Sequence, residues 1–68
     1  MKYTIEFERE EDGRWLAEIL ELPGVLAYGE TPDEAIGHAK VLALRVIADK
    51  IEHDEATEEL NEFSFVMA

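Results

Sequence analysis

The sequence contains no cysteine, so neither a disulfide framework nor a thiolate metal site can hold it together, and stability falls to packing alone. Cations are scarce as well. Lys2, Arg9, Arg14, Lys40, Arg45 and Lys50 are the whole set, and each is isolated from the others. Nucleic-acid backbones are bound by clustered basic side chains that displace counterions, so no direct nucleic-acid binding is expected. Long apolar runs are missing too, and the N-terminus enters an alternating pattern without a basic or apolar leader. The expectation is a chain that neither spans a membrane nor carries a standard export signal, and with no disulfides its expected location is the cytoplasm.

What is present in excess is negative charge. Seventeen Asp and Glu stand against six Lys and Arg, a formal charge of −11 on 68 residues. Such a field favours a basic protein partner, because complementary charge steers association. The plainer alternative is a solvated surface that keeps a small domain soluble. At 7.8 kDa the chain is expected to form one domain, 1–68, of a size at which a lone core is marginal and a partner or a second copy adds stability.

The hydrophobic period runs from two to about 3.6 and back. Residues 2–9 alternate, with Tyr3, Ile5 and Phe7 on one side and Thr4, Glu6 and Glu8 on the other, which predicts a half-buried strand. The stretch EEDG at 10–13 supplies turn residues and RWLAEIL returns as a second strand. An odd loop places Trp15, Ala17 and Ile19 beside Tyr3, Ile5 and Phe7, whereas an even one substitutes Leu16 and Leu20. The odd loop is preferred, which leaves Leu16 and Leu20 on the outer face among Glu6, Glu8 and Glu18 as a candidate contact surface.

Leu22, Pro23 and Gly24 make the next reversal, and Val25 to Tyr28 form a short third strand ended by Gly29. TPDE at 31–34 is a capping-box sequence, with Pro32 at the first helical position and Asp33 favourable to the helix dipole. Glu30, Asp33 and Glu34 line this helix start, so it is not an anion cradle. The helix is predicted from Pro32 to about Ile51, its covered face formed by Ala35, Ile36, Ala39, Leu42, Ala43, Val46 and Ile47. Val41, Leu44 and Ile51 fall outside that face, to be covered either by the C-terminal segment or by another subunit. An acidic connection follows, with a helical turn possible from Asp54 or Thr57, and FSFVM at 63–67 reads as a fourth strand with Phe63, Phe65 and Met67 on one side. A right-handed crossover then gives an α+β fold of β-β-β-α-β order, with sheet order 3-2-1-4 and one helix on one face.

The stretch YTIEFEREEDGRWLAEILELPGVLAYGETPDEAIGHAK, residues 3–40, resembles the N-terminal domain of HicB-like antitoxins. It shares the aromatic-led first strand, the Asp-Gly turn, an aromatic followed by alanine in the second strand, Leu22-Pro23-Gly24, the Gly29 to Thr31 step and Glu34-Ala35. The resemblance covers roughly the first 50 residues. It implies a partial ribonuclease-H-like fold and a role in neutralising a small basic HicA-type toxin that cleaves messenger RNA. Many such antitoxins continue into an operator-binding segment. Here the helix is followed only by acidic residues and one strand, so no separate DNA-binding domain is expected.

Catalysis fits the residues less well. Ribonuclease-H-like enzymes hold metal ions with clustered carboxylates, and Glu6, Glu8 and Glu18 could approach one another. Carboxylates alternating along a strand are more simply a solvated sheet face. His38 is placed on the polar side of the helix near Arg45 and Asp49, and His53 in the acidic connection, neither beside a nucleophile or ligand set. Thr31 and Ser64 have structural positions and no histidine near them in sequence. The expectation is a non-enzyme with no catalytic residues, cofactor or metal. Its partner surface is expected at the acidic turns Glu10, Glu11, Asp12 and Glu30, Asp33, Glu34, together with Leu16 and Leu20. The alternative is an orphan self-assembling module, and in either case a homo-oligomer, most simply a dimer, is expected.

Overall fold

A computed structural model describes residues 1–55 and 62–68. The elements run β1 (Lys2–Arg9), β2 (Trp15–Ile19), β3 (Leu26–Gly29), α1 (Pro32–Glu52) and β4 (Ser64–Met67). They form one mixed sheet of order β3-β2-β1-β4. β1 pairs antiparallel with β2, β2 antiparallel with β3, and β4 lies parallel beside β1. This is the α+β layout with order 3-2-1-4 that the hydrophobic period and the right-handed crossover predict.

The first hairpin closes through a turn of odd length. The Glu10 amide donates to the Arg14 carbonyl at 2.8 Å and the Gly13 amide to that of Glu10 at 3.0 Å, with Gly13 at φ 89. Register follows: Ile5 opposes Ile19, Phe7 opposes Ala17 and Arg9 opposes Trp15, so Trp15, Ala17 and Ile19 share the face of Tyr3, Ile5 and Phe7. α1 packs on this face, chiefly over β3 and β2. Its contribution is the small-residue row Ala35, Ala39 and Ala43 with Ile47, all buried, against Tyr3, Ile5, Ala17, Ile19, Leu22 and Val25. Small side chains let the helix axis come close to the sheet, and Ile36 and Val46 fill its margins.

Several boundaries and faces differ from the sequence expectation. β3 starts one residue later, at Leu26, and β4 starts at Ser64, leaving Phe63 outside the ladder as an edge-on neighbour of Tyr3 and Phe65. Leu42 is 38% exposed rather than in the covered face, because it lies at the margin of that face, to one side of the buried row Ala35, Ala39 and Ala43. The C-terminal strand joins the sheet edge and does not fold over Val41, Leu44 and Ile51, each 45–47% exposed.

At the N-terminus of α1, the Glu34 amide donates to Thr31 Oγ1 at 3.1 Å, which is the half of the capping box that the structure forms. At the other end Asp54 does not open a helical turn. It takes the left-handed conformation (φ 54), the Glu55 amide reaches back to the Lys50 carbonyl and the Asp54 amide to that of Ile51. This pattern closes a helix, and a short acidic side chain tolerates it better than a bulky one. The alternative start at Thr57 lies outside the described residues.

Candidate functional site

Strand direction brings the two acidic turns together. β1 ends at Arg9 and β3 ends at Gly29, and both are held level with Trp15 across the sheet. The turn Glu10–Asp12 and the helix start Glu30–Glu34 therefore sit at the same end of the molecule. Glu10, Glu11, Asp12, Glu30, Asp33 and Glu34 gather there, with Arg9 and Arg14 the cations among them.

The hairpin turn is clipped from within. Asp12 Oδ1 accepts from the Arg14 amide at 3.0 Å and Oδ2 from Arg14 Nε at 2.8 Å. The Arg14 guanidinium also lies 4.3 Å from the Tyr28 ring centroid, a cation–π contact that fastens the turn to β3. The Arg14 backbone N–H, and then its guanidinium, hold the Asp12 carboxyl below the ordinary aspartate value. Asp12 therefore serves the turn's own shape, and Glu10 and Glu11 carry its outward charge. Together with Tyr28 these residues line an open cleft.

The sheet face away from α1 continues from this end. Leu16 lies between Glu8 and Tyr28, and the next row is Glu6, Glu18 and Leu26. Leu26 and Tyr28 are 38% and 40% exposed, and Leu16 is half-buried. The result is an apolar strip of Leu16, Leu26 and Tyr28 bordered by carboxylates. Leu20, singled out with Leu16 from the sequence, lies at the other end of β2, where its amide donates to the Thr4 carbonyl. Leu26 and Tyr28 escape a sequence reading because they belong to the four-residue apolar run VLAY, whose lack of polar alternation hides which members face outward.

At Leu20's end of the sheet, Glu21 clamps β1. The Thr4 amide donates to Glu21 Oε1 at 2.6 Å and the Thr4 hydroxyl to Oε2 at 2.7 Å. These bonds, the hydroxyl's first, hold the Glu21 carboxyl below its ordinary value of 4.5. A carboxyl lowered on folding stabilises the fold above its unfolded pKa and loses that contribution as the pH falls through its folded value. Glu21→Gln is therefore expected to be less stable than the parent at pH 7, with the gap closing in acid well below 4.5; urea unfolding at a series of pH values measures it. A gap that persists unchanged into acid contradicts the clamp.

The histidines bond to backbone carbonyls. His38 Nδ1 donates to the Tyr28 carbonyl at 3.1 Å rather than meeting Arg45 and Asp49, and His53 caps the helix end, its Nδ1 2.8 Å from the Asp49 carbonyl. Among the described residues no three His, Cys, Asp or Glu side chains are grouped so as to hold a metal ion. No helix among them is long and apolar enough to cross a membrane. Compared with protein-family models, curated proteins and solved structures, the chain matches none.

Proposed function

We propose that this chain is an antitoxin-type binding protein that masks a small, basic, HicA-like RNA-cleaving toxin in the cytoplasm. The observation that carries the proposal is the convergence of two acidic turns, distant in sequence, at the edge of an exposed apolar strip. Charge of one sign around an apolar centre is the pattern in which the rim sets encounter and the centre sets residence time. The resemblance of residues 3–40 to HicB-like domains supplies the class of partner. The chain acts by binding rather than catalysis, and it contacts neither nucleic acid nor membrane directly.

The test is stopped-flow association with a small basic HicA-type toxin, across a salt series. Glu10→Gln with Glu11→Gln removes outward charge and leaves the Asp12–Arg14 clip intact. The pair is expected to slow association about tenfold at low salt and to flatten its salt dependence. Association that is unmeasurable, or indifferent to both salt and the substitutions, sinks the proposal. A second reading, an orphan module that works by self-assembly, is favoured by the apolar residues that α1 leaves exposed.

A further inference from the structure

α1 carries a second apolar surface on the side turned away from the sheet. Val41, Leu44 and Ile51 are 47%, 45% and 47% exposed, and Ala48 lies exposed among them. Their positions fall on one stripe of a 3.6-residue helix. The sheet is already filled by the alanine row on the opposite side, so nothing in the chain's own core needs these side chains.

We infer that this stripe pairs with the same stripe of a second copy, in an antiparallel two-fold helix dimer. The spacing is the first argument. Val41, Leu44, Ala48 and Ile51 are separated by three, four and three residues, a pattern that reads the same in both directions. An antiparallel copy centred on residue 46 therefore sets Val41 against Ile51 and Leu44 against Ala48, each large side chain but Leu44 meeting another and Leu44 meeting the small one. A two-fold contact requires such self-complementarity, and a heterologous partner does not.

Charge is the second argument. Although the chain carries −11 overall, α1 has no carboxylate between Glu34 and Asp49, and Lys40 and Arg45 stand there instead. A second acidic copy thus meets its least repulsive surface at this stretch, whereas a basic partner is drawn to the acidic end of the sheet. Arg45 and Asp49 border the stripe on the same flank, one turn apart. In an antiparallel pair like flanks meet, so each Arg45 lies along one shared flank between its own counterpart and Asp49 of the other copy, and the two Asp49 carboxylates offset the two guanidinium groups. Arg45 has no ion-pair partner among the described residues of its own chain. The outer sheet strip is on the other side of the sheet, so dimerisation leaves it open, and this inference stands whether or not the toxin proposal does.

The stripe is small beside the roughly 800 Å² per partner of a standard interface, so association belongs in the micromolar range or weaker. Sedimentation equilibrium of the 68-residue protein from about 1 µM to about 1 mM tests it. The mass is expected to rise from 7.8 kDa toward twice that value. Leu44→Glu should hold it at the monomer value with unchanged circular dichroism, since Leu44 takes no part in the core. Arg45→Glu should weaken association about tenfold, through two lost pairs and two new repulsions, and Arg45→Glu with Asp49→Arg should restore it. A monomer mass throughout, self-association indifferent to Leu44→Glu, or a double charge swap no better than the single change overturns the inference.

Discussion

Replacing Gly29 by alanine is expected to lower stability by about 3 kcal/mol. A Cβ at Gly29 would lie 2.5 Å from the Ala35 amide nitrogen, 2.9 Å from the Glu34 carbonyl carbon and 3.0 Å from the Ala35 Cα. These are backbone atoms of the first turn of α1 and cannot rotate aside. The turn is itself fixed, by the Ala35 amide on the Thr31 carbonyl at 3.0 Å and the Glu34 amide on Thr31 Oγ1. Either β3 lifts from β2 or the helix start moves off the sheet. For a chain of 68 residues the whole stability is roughly 3–10 kcal/mol, so the variant should melt more than about 10 °C below the parent. Gly37→Ala is the control with the opposite sign. Its Cβ meets nothing within 4 Å, and it replaces glycine in a helix interior, so a gain of about 0.5–1 kcal/mol is expected. Thermal unfolding of both variants decides the matter; a Gly29→Ala protein as stable as the parent would show that the contact of β3 with α1 is looser than described.

Leu16→Asp is expected to raise the dissociation rate of the proposed toxin complex by about 30-fold, the effect of removing an apolar centre worth roughly 2 kcal/mol. Leu16 is the middle of the row Glu8–Leu16–Tyr28, next to the acidic end. A new carboxylate there faces Glu8 across the ladder, which costs the fold only a fraction of its stability because the position is on the outer face. Leu20→Asp, at the far end of β2 beside the Glu21 clamp, should change dissociation much less. Equal effects of the two substitutions would move the contact surface along the sheet and away from the acidic end.

Much of this architecture was legible in the sequence, for identifiable reasons. The alternation of Tyr3, Ile5 and Phe7 with Thr4, Glu6 and Glu8 is unambiguous because every outward residue is polar, and the odd loop then determines the register of Trp15, Ala17 and Ile19. Thr31 with Pro32 marks the helix start, and the change of period around α1 requires a crossover to β4. Other features depend on distances that no local pattern contains. Leu42 fits the apolar period of the covered face, yet it lies at that face's margin, to one side of the row Ala35, Ala39 and Ala43. Glu21 reaches Thr4 only because the hairpin register places them together, seventeen residues apart in sequence. In the sequence Asp12 is indistinguishable from the surface charges Glu10 and Glu11, and its bond to Arg14 makes it part of the turn. The meeting of the two acidic turns follows from β3 running antiparallel to β2, which neither turn specifies alone.

Titrating the messenger-RNA cleavage of a small basic HicA-type toxin with the purified 68-residue protein tests the proposed neutralisation most directly. Cleavage should fall in proportion to added protein and cease near one equivalent, with the Glu10→Gln, Glu11→Gln and Leu16→Asp protein requiring a large excess. Cleavage that continues undiminished at many equivalents of the folded parent protein would contradict the claim.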